Sequence, residues 1–302
     1  MSLVVVGSVA YDGVETPHGC VERMLGGACT YISLAASYFT PVHIVGVVGE
    51  DFRQEDAGLL ASRSIDLEGL ERAPGKTFFW SGVYSADMND RTTLCTDLNV
   101  FADFRPKLPE RYRSQPYLLL GNIQPALQRD VKRQMTGLRL AGGDTMNFWI
   151  QGSREELLET IRDWDFLLIN DTEARLLSGE YMLRRAAEVI LGMGPRILVI
   201  KRGEYGAVLF HSAGHFLVPG YLLGRVFDPT GAGDSFAGGF IGYLAEQGAG
   251  REAGDRKLRN AVVYGSVMGS FCCEQFGVDR FRTLTRAEID ERFREFKTCT
   301  EF

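Results

Sequence analysis

The stretch DPTGAGDSFAGGF, residues 228–240, contains four glycines among its thirteen residues. Glycine weakens helices and strands, so such a cluster indicates a place where the backbone approaches something closely. The run after it, SFAGGFIGYLAEQG, predicts a helix that begins near Asp234. The first N–H groups of a helix lack partners within it and carry partial positive charge. We therefore expect an anion-binding site at Gly231, Ala232 and Gly233.

Asp234 lies beside this expected site, and two roles suit it. It can accept the proton of an attacking hydroxyl, which together with the anion site provides the two parts that phosphoryl transfer needs. Aspartate is also a common helix N-cap, and the spacing alone does not separate the two roles. A carboxylate at a helix N-terminus is expected to have a low pKa and to be a weak base. In a loose transition state, however, orientation counts for more than basicity.

Outward from this stretch, short apolar runs alternate with helical patterns along most of the chain. The pattern predicts one three-layer α/β/α domain over residues 1–302, doubly wound around a mostly parallel sheet. The expected strands include LVVVG (3–7), VHIVGVVG (42–49), YLLLG (117–121), FLLIN (166–170) and RILVIKRG (196–203). Ligands of such sheets bind beyond the carboxyl ends of the strands. The residues expected at that edge are Gly7, Gly49, Gly121, Asn170 and Gly203.

Residues 67–104 differ from the rest of the chain. Two strand-like stretches, TFFWSGVY (77–84) and RTTLCTDL (91–98), are joined by a polar turn with no helix between them. They predict a small β insert that packs on the main domain as a flap. Its aromatic side chains suit a sugar face, a nucleobase, packing within the flap or contact between the flaps of a homodimer. These side chains are Phe78, Phe79, Trp80 and Tyr84.

The composition argues against several classes of protein. With 33 Lys and Arg against 39 Asp and Glu, the formal net charge is -6, which disfavours non-specific nucleic-acid binding. The N-terminus lacks the features of a signal peptide, and no segment is apolar for long enough to span a bilayer. We therefore expect a cytoplasmic protein without a membrane partner. The six cysteines form no C-x-x-C pair and show no metal-ligand spacing with the four histidines, which favours free thiols.

The stretch 228–240 resembles the second signature of the PfkB, or ribokinase-like, family of carbohydrate kinases. The resemblance continues in order over nearly the whole chain. It implies an α/β/α kinase domain with a β-sheet lid, to which we assign residues of about 11–24 and 67–104. It also implies ATP and Mg²⁺ as cofactors. The matching positions in the signature are Asp228, Pro229, Gly231, Ala232, Gly233, Asp234, Gly238, Gly239, Phe240 and Ile241.

The resemblance implies roles for residues on the phosphate side of the site. Asp234 is similar to the family's catalytic base, with residues 231–233 as the anion hole. The tetrapeptide NDTE resembles the family's N-x-x-E motif, which places Asn170 and Glu173 near Mg²⁺, acting through water. An exposed position in the first turn of a helix is the alternative for Glu173.

Asp228 and Thr230 resemble one half of a monovalent-cation site that many members of the family carry. The loop near Gly277, which should supply the other half, matches poorly. A potassium ion is therefore an open expectation.

The segment KRGEYG resembles the family's nucleotide-contacting turn, with Lys201, Gly203 and Gly206 as the candidates. Lys201 stands where many relatives have a threonine, and it either reaches a phosphate or is solvated. Asn260 resembles a residue beside the adenine, and an ordinary helix-surface asparagine is the alternative.

On the acceptor side, GSVAYD resembles the strand end whose aspartate binds substrate hydroxyls, so Asp12 is the candidate. A carboxylate accepts two hydroxyl hydrogen bonds and so suits a vicinal diol, although an aspartate before glycine is also common in turns. Gly26 and Gly27 resemble the glycine pair of the first signature, where the backbone lies close to the sugar. Asn147 lies in a segment that is on the substrate side in relatives.

These patterns predict an ATP-dependent kinase that phosphorylates a primary hydroxyl of a sugar. Ala10 and Tyr31 stand where sugar kinases such as ribokinase carry asparagines that contact the substrate. A nucleoside kinase of the adenosine, inosine or cytidine type is therefore the alternative. A non-catalytic sensor is a further alternative, against which the intact GAGD and NDTE argue. A dehydrogenase is disfavoured because Phe236 replaces the third glycine of its fingerprint.

Overall fold

The structure is a computed structural model that describes residues 1–301. Its strands are β1 (Leu3–Val6), β2 (Ala10–Thr16), β3 (Gly19–Gly26), β4 (Val42–Val48), β5 (Ile65–Arg72), β6 (Phe78–Tyr84), β7 (Arg91–Asp97), β8 (Tyr117–Leu120), β9 (Leu140–Gly143), β10 (Phe166–Asn170), β11 (Ile197–Lys201), β12 (Ala207–His211) and β13 (Gly214–Val218). Its helices are α1 (Ala28–Ala36), α2 (Gln54–Ser62), α3 (Pro125–Gln134), α4 (Asn147–Gly152), α5 (Arg154–Ile161), α6 (Asp171–Ser178), α7 (Leu183–Leu191), α8 (Ala232–Glu246), α9 (Asp255–Cys272), α10 (Asp279–Thr283) and α11 (Arg286–Thr300).

Nine strands form the main sheet, in the order β13-β12-β11-β10-β9-β8-β1-β4-β5. Every neighbouring pair from β11 to β5 is parallel, whereas β12 and β13 are antiparallel to their neighbours. The chain begins at β1 in the interior of the sheet, adds β4 and β5 on one side, and then builds the other side from β8. The expected doubly wound, mostly parallel sheet is confirmed.

Helices cover both faces of this sheet because successive residues of a strand point to opposite sides. Leu3 and Val5 belong to one buried core, together with side chains from α1, α2, α8, α9 and α11. Val4 and Val6 belong to a second core, with side chains from α3, α5, α6 and α7. Since both faces of β1 are apolar, the strand is stable only between two helical layers.

The remaining four strands form a small sheet in the order β3-β2-β6-β7. β2 and β6 are parallel, while the outer strands are antiparallel to their neighbours. The two expected strands of the insert are therefore present as β6 and β7. Residues 67–72 differ from the expectation, because they pair with β4 and extend the edge of the main sheet.

Within residues 1–301, no helix combines the length and the apolar character that crossing a bilayer would require. The longest helix, α9, has 18 residues and carries charged side chains in its first turns. All six cysteines are free thiols.

Candidate active site

The glycine-rich loop and the start of α8 form the centre of the candidate site. Gly231 is the N-cap, with a φ of 76°, and the helix begins at Ala232. A Cβ on Gly231 would overlap the ring of Tyr31, so this position requires glycine for two reasons. Asp234 is the third residue of the helix, and its carboxylate makes no hydrogen bond with other described residues. The N-cap interpretation of Asp234 is therefore wrong.

Three backbone N–H groups at this helix end are free among the described residues. The N–H of Ala232 donates to the carbonyl of Pro229 at 3.2 Å, and the first bond of the helix runs from Ser235 to Gly231 at 2.8 Å. The N–H groups of Gly231, Gly233 and Asp234 remain without an acceptor. The free donors thus include Asp234 in place of Ala232 of the expected trio, because the tight turn after Pro229 uses the N–H of Ala232.

The pKa of Asp234 is raised above its usual value by burial, although the nearby Lys201 and Arg91 lower it. The expected low pKa is therefore wrong. The loss of hydration of the carboxylate outweighs the favourable charges around it, because burial disfavours the charged form. A carboxyl group with a raised pKa accepts a proton more readily near neutral pH.

Neighbouring parallel strands bring further polar residues to the same edge as α8. Asn170 and Lys201 are the last residues of β10 and β11 and are paired in register. The Lys201 Nζ lies 3.5 Å from the carbonyl oxygen of Gly233, so its positive charge is beside the free N–H groups. This position is compatible with contact to a phosphate.

Asp144 also belongs to this edge, and it was not expected from the sequence. It directly follows β9, is 9% exposed, and its Oδ1 has no hydrogen-bond partner among residues 1–301. Burial and the charge of Asp234 raise its pKa well above the usual value, with Lys201 opposing and Glu173 adding to the shift. The signal in the sequence was a carboxylate directly after the short run LAGG, since ligands bind beyond the carboxyl ends of parallel strands.

The expected Mg²⁺ residues form the start of α6. The Asn170 side chain accepts the N–H of Glu173, and Glu173 accepts the N–H of Asn170, each at 2.8 Å. This capping box occupies the amide oxygen of Asn170 and one carboxylate oxygen of Glu173. Burial raises the pKa of Glu173, which is half-buried rather than exposed as the alternative required.

The residues present fit a hydrated Mg²⁺ rather than a fully protein-bound metal. Among residues 1–301, no three His, Cys, Asp or Glu side chains converge to hold a metal ion by themselves. Mg²⁺ commonly keeps several waters and uses one or two carboxylates together with phosphates. The second carboxylate oxygen of Glu173 and the unpartnered oxygen of Asp144 can supply such carboxylates.

The acceptor side is built around Asp12 in β2. Its side chain is buried, and a Cβ on Gly26 would overlap the carboxylate, so the glycine permits the contact. Gly27 caps α1 with a φ of 90°, and a Cβ there would approach the carbonyl oxygen of Ser8. Burial, followed by the charge of Asp228, raises the pKa of Asp12 to about 7.

The small sheet contributes two residues to the site, Tyr84 and Arg91, whose contacts and charge effects there the sequence did not predict. The Thr230 hydroxyl donates to the hydroxyl of Tyr84, at the end of β6, at 3.1 Å. Arg91, the first residue of β7, lowers the pKa of Asp12, Asp234 and Glu173 through its charge. An arginine of the small sheet therefore acts electrostatically on both sides of the site.

The residues expected to contact the nucleotide lie in two elements, the turn after β11 and helix α9. Gly203 and Gly206 flank a short turn after β11, with φ values of 55° and 86°. A Cβ on Gly206 would overlap the carbonyl oxygen of Val218, so the turn depends on glycine. Asn260 donates its side-chain N–H to the hydroxyl of Tyr243 at 3.1 Å. Its contact with adenine stays a prediction.

Asp228 connects the glycine-rich loop to the segment before α10. Its two carboxylate oxygens accept the N–H groups of Thr230 at 2.8 Å and Gly277 at 2.9 Å. The loop near Gly277 thus does meet Asp228, despite its poor sequence match. The monovalent-cation site stays a prediction. Asn147 is the exposed first residue of α4, and its role on the acceptor side also stays a prediction.

The fold and the site together define a class of protein. A helix N-terminus with free N–H groups, a lysine above it and an unengaged carboxylate beside it are the parts of a phosphoryl-transfer site. They lie at the carboxyl edge of a doubly wound sheet, where such proteins bind ligands.

The chain belongs to the pfkB family of carbohydrate kinases, whose sequence profile matches residues 2–283. It is therefore a phosphotransferase that acts on an alcohol group of a sugar or nucleoside. A cytidine kinase of Thermococcus kodakarensis is 29% identical over 80% of this chain and 88% of the relative. An inositol 3-kinase of Arabidopsis thaliana is 36% identical over 98% of this chain and 81% of the relative.

Solved structures agree with the fold. The nucleoside kinase of Methanocaldococcus jannaschii, described as an archaeal member of the ribokinase family, superposes with a TM-score of 0.77. The superposition covers 97% of this chain and 98% of the other at 20% identity. The expected ribokinase-like architecture is therefore confirmed.

Proposed function

We propose that this protein transfers the γ-phosphoryl group of ATP to a primary hydroxyl of a sugar, with Asp234 as the base. The observation that carries the proposal is the unengaged Asp234 carboxylate directly beside the free N–H groups of Gly231 and Gly233. A carboxylate that capped the helix or formed an ion pair would make a hydrogen bond to its partner, and Asp234 makes none with the described residues.

In the proposed reaction, Asp234 accepts the proton of the acceptor hydroxyl as its oxygen attacks the γ-phosphorus. The free N–H groups of the loop and the Lys201 ammonium stabilise the charge on the transferred group. Asp12 accepts hydrogen bonds from two acceptor hydroxyls and so orients the third. Glu173 and Asp144 would hold the hydrated Mg²⁺, which neutralises phosphate charge when bound.

A nucleoside is the alternative acceptor, because the relatives named above include both an inositol 3-kinase and a cytidine kinase. The sensor alternative is weaker, since Asp234, Lys201 and Glu173 are all present and gathered at one edge. We also infer a location in the cytoplasm, in keeping with six free thiols.

The test is an assay of ADP release from ATP and Mg²⁺ with D-ribose, D-fructose, myo-inositol, cytidine, inosine and adenosine. We expect one acceptor class to be phosphorylated, and Asp234→Asn to lower kcat by at least about a hundredfold while ATP affinity changes little. Asp279→Asn is the control, because it also changes a first-turn aspartate, whose carboxylate on α10 is exposed and pairs with Arg282. Near-normal turnover by Asp234→Asn would remove the base from the mechanism. ATP binding without turnover on any acceptor would favour the sensor.

A further inference from the structure

A cleft of about 380 Å³ lies at the edge of the main sheet opposite the candidate active site. Two of its lining residues, Asp165 and Arg196, directly precede β10 and β11, whose last residues are Asn170 and Lys201. Each of these strands has five residues, so about 16 Å separates the two edges. The proposed reaction therefore makes no use of this amino-edge cleft.

The charged side chains that line the amino-edge cleft are mostly cations, although the chain as a whole has a formal net charge of -6. Four of them are basic and two are acidic, which leaves a formal charge of +2. A phosphate monoester carries about 1.5 to 2 negative charges near neutral pH and so matches this excess. The six charged residues are Lys132, Arg162, Arg196, Arg251, Asp163 and Asp165.

Contacts within the protein leave one of these cations without a partner. Asp165 is 4% exposed, and its carboxylate accepts the N–H of Ala141 at 2.9 Å and pairs with Arg251 at 2.9 Å. Arg162 is exposed at the mouth of the cleft, and its guanidinium makes no hydrogen bond or ion pair with residues 1–301. It is therefore able to bind an anion without first breaking an internal contact.

Two less exposed donors complete the wall of the amino-edge cleft. The Lys132 Nζ donates to the carbonyl oxygen of Asp163. Burial lowers the pKa of Lys132, so a bound anion would stabilise its charged form. Trp164 lines the same cleft, is 2% exposed, and its Nε1 has no hydrogen-bond partner in the described part of the chain. Buried indole N–H groups usually have an acceptor, and this wall lacks one.

We propose that the amino-edge cleft is a second binding site, which takes a small organic phosphate monoester. Arg162 is the residue expected to bind the phosphate directly, because a guanidinium group donates two parallel hydrogen bonds to phosphate oxygens. Lys132 supplies a second positive charge. The volume is within the range of small-molecule pockets and exceeds the size of a phosphate ion, so the ligand carries an organic group as well.

Trp164 provides the reporter for the test, since the chain has only two other tryptophans, Trp80 and Trp149. In Trp80→Phe/Trp149→Phe, without ATP, D-ribose 5-phosphate and AMP should change the Trp164 fluorescence saturably. Adding Arg162→Ala should raise the Kd of both probes by at least about tenfold, as loss of a charge-assisted hydrogen bond predicts. The same Kd with and without Arg162 would overturn the site.

Arg133→Ala is the matched control. Arg133 is an exposed arginine of α3 next to Lys132, pairs with Asp130 at 3.3 Å and does not line the cleft. We expect the Kd of both probes to be unchanged in this variant. Equal weakening by Arg133→Ala and Arg162→Ala would indicate general attraction between charges and would overturn a specific site.

Three further probes test the ligand class. D-ribose and adenosine, which lack the phosphate, should give no response, and binding with the Kd of their phosphates would overturn recognition of a phosphate group. Inorganic phosphate should bind more weakly than D-ribose 5-phosphate. Equal Kd values for these two would overturn the organic part of the proposal.

Thermal shifts with the same probes repeat the comparison on the wild-type chain, with its tryptophans in place. D-ribose 5-phosphate and AMP should raise the melting temperature of the wild type more than that of Arg162→Ala, and equal shifts, including no shift, overturn the site. Neither readout needs turnover. Failure of the proposed kinase reaction therefore leaves this inference standing, and failure of the inference leaves the kinase standing.

Discussion

Two carboxyl groups at the site show how a residue's role depends on its surroundings. Asp12 and Asp234 both have raised pKa values, and burial is the largest cause for each. Asp234 also has two cations near it, Lys201 and Arg91, which limit its shift. Asp12 has two neighbouring carboxylates, Asp228 and Asp234, and only Arg91 and the N–H of Gly27 in opposition.

We therefore predict that acceptor binding depends on pH through Asp12. Only the ionised carboxylate accepts two hydroxyl hydrogen bonds, and its pKa is raised from 3.8 to about 7. The KM for the acceptor should fall about tenfold as the pH rises from 6 to 8 at saturating ATP. Asp12→Asn should bind the acceptor weakly with a KM that is flat over this range. A wild-type KM that is equally flat would contradict the prediction.

The same shift predicts the sign of a stability change. Between about pH 4 and pH 7 the folded protein keeps a proton on Asp12 that the unfolded chain has lost. As the pH rises, the free energy of unfolding of the ligand-free wild type should therefore increase less than that of Asp12→Asn. Thermal melting of both proteins from pH 5 to pH 8 measures the difference, which should favour the variant increasingly up to about pH 7 and stay constant above it.

At the scale of elements, two helices begin with the same local motif and differ in their surroundings. α6 begins with the capping box of Asn170 and Glu173, and α11 with that of Thr285 and Glu288. The Glu288 pKa is lowered to about 2, chiefly by its hydrogen bonds to Thr285 and Arg280, whereas the Glu173 pKa is raised by burial. A capping box by itself thus says nothing about a metal, and the position on the sheet edge makes the difference.

We predict that Glu173→Gln separates capping from metal binding. Glutamine can still accept the N–H of Asn170, so the melting temperature should change little. Loss of the charge should raise the Mg²⁺ concentration for half-maximal rate about tenfold or more. Glu288→Gln is the control with the same motif, and it should leave the Mg²⁺ requirement unchanged. An unchanged requirement in Glu173→Gln would exclude that side chain from the metal site.

At the scale of the whole molecule, the small sheet and the main domain share the site. Tyr84 meets Thr230 of the glycine-rich loop, and Asn89, in the turn between β6 and β7, donates to Glu204 in the turn after β11 at 3.3 Å. Arg91 adds to the positive charge of the site, since both it and Lys201 lower the pKa of Asp234. The small sheet thus contacts both the glycine-rich loop and the turn after β11, as a cover that excludes water from the reaction would.

We predict that Arg91→Ala lowers kcat by at least about tenfold, because Arg91 stabilises negative charge at the reacting centre. Its side chain is exposed, so the melting temperature should change by little. Thr92→Ala, at the adjoining exposed position of β7, is the control. A KM effect for the acceptor without any effect on kcat would assign Arg91 to binding alone.

The homodimer through the small sheet, which the sequence analysis considered, stays a prediction. β3 and β7 are the outer strands of that sheet, and most residues of β7 are exposed. Light scattering of the wild type and of Leu94→Glu, which places a charge on an exposed apolar position of β7, would test it. A dimer in the first protein and a monomer in the second is the expected result.

The sequence by itself determined the features that depend on local physics. The apolar runs and helical periodicity were enough to predict the parallel sheet with two helical layers, since each strand buries both faces. The dense glycines at residues 228–240 were enough to predict a close approach of backbone, because only glycine tolerates the left-handed Gly231 against the Tyr31 ring. Two of the four strands of the small sheet, β6 and β7, were predicted equally well, although residues 67–72 pair with β4.

Only the tertiary structure decided what distant segments do to one another. Asp144 became a site residue because it follows β9, which lies between β8 and β10, and the fold brings it near Asp234, Lys201 and Glu173 from distant segments. The raised pKa of Asp234 contradicts the local expectation, because burial by the whole fold outweighs the charge of one helix end. The amino-edge cleft became visible for the same reason: its lining residues come from separate segments, which are brought together by three-dimensional packing that spacing along the chain does not specify.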